Sequence, residues 1–126
     1  MISLPIYKLI HLVGIIMAMS ALGGAAFYAL AGGSQEKGAP GRRLLAMVHG
    51  LGVFLVLLGG FGMLARLGIV HGGGFPGWIW VKLTVWVVVA GALFLPRRRP
   101  AYAVPLLLSL PLLGGLAAYM AIWKPF

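Results

Sequence analysis

The chain contains no cysteine, and it has a single acidic side chain, Glu36, against ten Lys and Arg. Without cysteine there is no disulfide framework, no thiolate nucleophile and no cysteine metal cluster. One carboxylate cannot form the acid pair of a glycosidase or an intrachain carboxylate cage for calcium or magnesium. Charge of any kind is scarce, at 9% of residues against about 25% in an ordinary soluble domain. No Asp or Glu falls inside an apolar run. Proton- and ion-coupled carriers usually hold such acids or broken helices near the midplane, so transport is disfavoured.

What the sequence has in excess is apolar surface: 62% of residues are hydrophobic and the mean hydropathy is +1.06. Four apolar stretches cover about residues 5–31, 44–67, 78–95 and 101–123. Each is close to or beyond the roughly 20 residues needed to cross a bilayer as a helix. The pattern predicts an all-α integral membrane protein, a four-transmembrane-helix antiparallel bundle with short loops, forming a single transmembrane domain over residues 1–126. The connectors are Gly32–Arg43, Gly68–Gly77 and Pro96–Pro100, all punctuated by Gly or Pro as turns require. The first stretch ends in Ala29-Leu30-Ala31, which resembles a signal-peptidase site, but its apolar run is too long for a signal peptide and reads as a true span.

Charge placement sets an expected orientation. The side opposite the N-terminus carries six basic residues, Lys37, Arg42, Arg43, Arg97, Arg98 and Arg99. The N-terminal side carries four, Lys8, Arg66, Lys82 and Lys124. The positive-inside rule then makes the six-residue side cytoplasmic and both termini periplasmic or exterior, in a bacterial inner membrane. On this reading the net charge of +9 marks topology and contact with anionic lipid, with no nucleic-acid role.

Small residues indicate how the helices approach one another. The first span carries His11, Gly14, Ala18, Ala21 and Ala25 at three- and four-residue spacing. The second carries His49, Gly52, Val56, Gly59 and Met63, and the fourth offers Gly114, Gly115 and Ala118. Such stripes let membrane helices pack closely. The third span is bulky, with Trp80, Val81, Val85, Trp86, Val87, Val88 and Val89. It is expected either to serve as the helix around which the others close or to face lipid or a partner subunit. Pro105 and Pro111 are expected to kink or loosen the fourth span. Trp78, Trp80, Tyr102 and Trp123 lie where interfacial aromatic belts form.

Polar groups inside hydrocarbon are costly and are the default functional candidates. His11 and His49 differ in depth by about 13 residues, roughly 19 Å at the helical rise, so they cannot ligate one haem from both faces in an up-down bundle. The N-terminal end gathers Tyr7, Lys8, His11, His71, Lys82 and Tyr119, with Met63, Met120 and Trp78 at similar depth. Lys82 is the sharpest of these. An ammonium at a helix centre costs about 2.5–3.5 kcal/mol on the insertion scale. Lys82 either snorkels to the interface or meets an anion; Glu36 is at the other end, which leaves the C-terminal carboxylate of Phe126 or an anion from outside the chain, a ligand carboxylate, a haem propionate or a partner subunit. His71 heads a His-Gly-Gly-Gly segment of the kind that forms esterase oxyanion holes, but the chain has no Gly-x-Ser-x-Gly elbow to accompany it.

Tyr7-Lys8-Leu9-Ile10-His11-Leu12 resembles the Lys-x-x-His start of the HemJ-type membrane protoporphyrinogen oxidases. Trp78-Ile79-Trp80-Val81-Lys82-Leu83, after a Pro-Gly, resembles the Trp-x-x-x-Lys-Leu start of their third helix, and related SirB-like and CopD-like membrane proteins show similar patterns. The resemblance implies a small helical membrane fold in which His11 and Lys82 serve haem or porphyrin chemistry. One reading follows from it: a redox-linked, electron-transfer protein that binds haem b or a porphyrin, with His11 as axial ligand to iron. Lys82 would then pair with a propionate, and Met63, Met120, Tyr119 or His71 would supply the second contact. The other reading is a non-catalytic accessory subunit of a larger respiratory or photosynthetic membrane complex, with partner subunits or a homo-oligomeric copy supplying the missing counter-charge.

Overall fold

The computed structural model describes residues 3–68 and 74–125. Four apolar helices of membrane-spanning length make up the molecule, covering Leu4–Leu30, Pro40–Leu67, Gly77–Arg98 and Pro100–Trp123. In hydrocarbon every backbone N–H and C=O must be satisfied within the segment, so long apolar runs become helices. The outer surface is correspondingly greasy: Leu9, Ile16, Phe27, Met47, Phe54, Val87, Leu108, Leu112 and Ile122 all stand exposed. Such a surface belongs in lipid.

The first helix, α1 (Leu4–Leu30), ends in Gly32, whose φ of 80° suits glycine. There the Gly32 and Gly33 amides donate back to Ala29 O and Tyr28 O, the paired bonds of a Schellman stop. Tyr28 then folds its ring onto Gly33 and Gly41 and donates its hydroxyl to Ser34 O at 2.7 Å, closing the first connector. The second helix, α2 (Pro40–Leu67), begins four residues before the expected Leu44. Pro40 at the first turn lacks only an amide that would be unpaired there anyway, so Arg42 and Arg43 belong to the helix rather than the loop.

The third span also runs further than the sequence suggests. It consists of α3 (Gly77–Ala92) and a short α4 (Phe94–Arg98), offset at Leu93. The fully buried Pro96 explains the offset, since it cannot donate to the Ala92 carbonyl and its ring crowds that turn. The expected Pro96–Pro100 loop is therefore largely helical, and a single 3₁₀ turn, Pro100–Tyr102, leads into the last helix, α5 (Ala103–Trp123). Pro105 falls in the first turn of α5, and Pro111 sits within the helix without ending it.

The spans form a ring in which α1 lies beside α2 and α5, and α3 lies beside α5 and α2. The α1–α2 seam is the most intimate, because glycine brings backbone against backbone. A methyl built on Gly14 would lie 2.6 Å from Val56 N, and one on Gly52 would lie 2.6 Å from Ala18 N. The core itself comes from three helices: Ala18, Leu22 and Ala26 of α1, Val85, Val89 and Ala92 of α3, and Ala103, Leu106 and Leu110 of α5. The stripes of α1 and α2 are thus used as expected, with Gly14, Ala18, Ala21 and Ala25 buried on one and His49, Gly52 and Gly59 on the other. The stripe proposed for the last span is not. Gly115 and Ala118 are exposed, and α5 packs through Ala103, Leu106, Leu110 and Met120 instead. The bulky α3 is two-faced, burying Ile79, Val85 and Val89 while exposing Trp80, Val87 and Val88.

Candidate functional site

Ring nitrogens of three side chains tie the helices together through hydrogen bonds to backbone carbonyls. His11 Nδ1 on α1 donates to Val56 O on α2 at 2.8 Å. Trp86 Nε1 on α3 donates to Val53 O on α2 at 2.9 Å. His49 Nε2 on α2 donates to Val89 O on α3 at 2.9 Å. A carbonyl can only accept, so each of these ring nitrogens carries the hydrogen. A carbonyl also has two lone pairs, so each can accept a second donor beside its helical partner. His49 is 4% exposed and sits in the seam as a packing residue.

His11 differs from His49 in what surrounds it. Its Nδ1–H is fixed by Val56 O, which leaves Nε2 as the ring nitrogen with a lone pair. That arrangement, one nitrogen held by a backbone carbonyl and the other open, is the usual preparation of an imidazole for a metal. Lys82 comes from α3, diagonally across the ring, and lies within Coulombic range of both His11 and Lys124. It is half-buried and makes no hydrogen bond or ion pair among the described residues. Lys124 takes a different course. Its Nζ donates to Ala121 O at 2.7 Å and sits 5.4 Å from the centre of the Trp78 ring. The end of the bundle nearest the N-terminus therefore collects His11, Lys82 and Lys124 in addition to Lys8 and Arg66, and no acid among the described residues.

Trp78 is only 9% exposed and packs with Ile79 and Met120, flanked by Leu64 and Phe75. It is thus part of the end-cap of the core and not an interfacial anchor, unlike Trp80, at 58% exposed, and Trp123. Met120 faces inward in this cluster and Met63 is half-buried on α2. Tyr119, adjacent to Met120 on the helix, necessarily points elsewhere. It is 46% exposed and stacks on Trp123 with ring centres 5.2 Å apart, so it does not join His11 and Lys82. His71 lies outside the described residues. Ser109 turns its hydroxyl back onto Leu106 O of its own helix.

Two grooves among the described residues are shallow and apolar, and both lie on outer faces. One, of about 420 Å³, is bordered by Tyr7, Phe54, Leu57 and Phe61. The other, of about 460 Å³, is bordered by Met19, Gly23, Leu107 and Pro111. Neither includes His11 or Lys82. Lys82 offers this end of the bundle one ammonium that can pair with an anion. His11 adds one ring nitrogen, Nε2, with a lone pair.

The fold and its apolar surface define the chain as a small four-span helical membrane protein. No protein family, characterised protein or solved structure matches it.

Proposed function

We propose that the protein binds a carboxylate-bearing tetrapyrrole, haem b or a porphyrin, at the end of the bundle nearest the N-terminus, and that its role is redox-linked. The observation that carries this reading is Lys82: half-buried on α3, within Coulombic range of His11, and without an anion among the described residues. A charge held in hydrocarbon without a partner is a standing cost of several kcal/mol, and a propionate would remove it. Lys82 meets the carboxylate, His11 offers Nε2, and Met120 and Trp78 supply apolar cover. When bound, haem supplies one-electron chemistry; the chain's own contribution is to hold a carboxylate and present one imidazole. With the six-residue basic side in the cytoplasm, the site opens toward the periplasm or exterior.

Titration of the purified protein with haem tests this. A shifted Soret band is expected, with binding weakened about tenfold in Lys82→Met and retained in Lys82→Arg. His11→Ala is expected to change the spectrum itself, since it removes the iron's nitrogen donor. A protein that takes up no haem and no porphyrin refutes the reading.

The second reading, an accessory subunit, is favoured by a different observation. His11, His49 and Trp86 all spend a polar hydrogen on a neighbouring helix, as packing residues do. Migration as one discrete larger assembly on a native gel of gently extracted membranes supports it, and a strictly monomeric protein refutes it.

A further inference from the structure

The opposite end of the molecule breaks a rule of helix electrostatics. The amino end of a helix carries partial positive charge and favours anions, by about 0.3–1 kcal/mol. Yet the first turn of α2 holds Arg42 and Arg43, no acid and no side-chain cap. Arg97, from α4, reaches the same spot and donates to Arg42 O at 3.2 Å, which brings a second guanidinium beside the first and makes the two repel. Arg42 Nε is buried and meets no partner. Glu36, the chain's one acid, makes no ion pair with either arginine among the described residues. Two cations from different helices, a positive helix end and a shielded unpaired N–H thus converge where two apolar spans reach the membrane surface.

The geometry points to a phosphate-binding site formed by Arg42 and Arg97 and filled by the headgroup phosphate of an anionic phospholipid. Guanidinium forks match phosphate oxygens in pairs. The phosphate accepts from the outer guanidinium N–H groups of Arg42 and Arg97, offsets the Arg42–Arg97 repulsion and lies over the positive end of α2. A lipid is the source the position favours, because the site sits where the apolar faces of α2 and α4 end, so the acyl chains have hydrocarbon surface to follow. Pro96, buried within α4, and Tyr28, packed on Gly41, fix the two arginine-bearing segments in place. The site is therefore built rather than assembled by its ligand.

Native mass spectrometry of the detergent-purified protein tests the proposal, with phosphatidylglycerol, phosphatidylcholine and inorganic phosphate as probes. Phosphatidylglycerol is expected to give one retained adduct per chain, phosphatidylcholine a markedly weaker one, and inorganic phosphate none. Arg42→Gln and Arg97→Gln should each weaken the phosphatidylglycerol adduct about fivefold, in line with the electrostatic contribution of one basic residue at a membrane surface. Lys8→Gln, at the other end, should leave it unchanged. Counting adducts on the folded population keeps the result readable if a variant is unstable. Equal retention of the two lipids, or unaltered binding in both arginine variants, overturns the proposal. Retention of inorganic phosphate in place of lipid overturns the lipid assignment.

Discussion

The substitution of alanine for Gly52 is a stringent test of the packing described above. A methyl at this position lies 2.6 Å from Ala18 N and 2.9 Å from Gly14 O. Both are backbone atoms, which cannot rotate away. An ordinary carbon contact needs about 3.5 Å, so α1 and α2 must separate locally by roughly 0.9 Å, enough to forfeit between a quarter and a half of the dispersion energy along the seam. The His11–Val56 hydrogen bond, 2.8 Å and one turn away, would stretch toward roughly 3.7 Å, past hydrogen-bonding range. Overpacking costs about 1–3 kcal/mol, and an interhelical hydrogen bond in a membrane about 0.6 kcal/mol. Alanine recovers up to about 1 kcal/mol through its better helix propensity. The net loss is about 1–3 kcal/mol. Gly50→Ala supplies the control: it lies on the same helix two residues away and undergoes the same chemical change, but its methyl meets nothing within 4 Å. It should be neutral or mildly stabilising. Equilibrium unfolding of the two variants in bicelles measures the difference directly. Equal stabilities would refute the claim that close backbone approach holds α1 to α2.

Other outcomes follow from single contacts. Trp86→Phe removes the donor to Val53 O while keeping most of the ring, and should cost about 0.5–1.5 kcal/mol in the same unfolding assay. His49→Ala should cost more, about 2–4 kcal/mol, because it opens a cavity in addition to losing the bond to Val89 O. Among single-tryptophan variants in brominated lipid, Trp80 and Trp123 should be strongly quenched and Trp78 protected, as their exposures require; a quenched Trp78 would mean that the end-cap of the core is open. Topology reporters fused after Trp123 should report the side away from the cytoplasm, and activity of a cytoplasm-specific reporter there would reverse the orientation assigned from the arginines.

The four spans were legible because length and apolarity alone define a membrane helix. The α1 stripe was legible too, since Gly14, Ala18, Ala21 and Ala25 repeat at helical spacing among larger residues. The packing face of α5 was not. In lipid both faces of a helix are apolar, so amphipathicity does not mark the inner one, and Gly115 and Ala118 are as comfortable outside as Leu106 and Leu110 are inside. The start of α2 at Pro40 carried a signal, proline at a first turn, that the neighbouring glycines obscured. Depth along the helix axis correctly put Lys82 and His11 at one end, because depth depends only on counting residues. Direction was harder: Tyr119 and Met120 share a depth and point about 100° apart, so only one of them can face inward. The acceptors of the histidines are main-chain carbonyls, which look alike at every residue, and no side-chain pattern could have named Val56 or Val89.

The bond from His49 to Val89 O has a consequence for biogenesis. Spans one and two are adjacent in the chain and joined by their glycines, so they can associate as soon as both have entered the bilayer. In that hairpin the His49 Nε2–H lacks the acceptor it has in the full bundle, because that acceptor belongs to the third span, and Val53 O still awaits Trp86. The half-made protein therefore carries a polar penalty that only arrival of the third helix removes. The last bonds of the second span are thus made only when the third is in place.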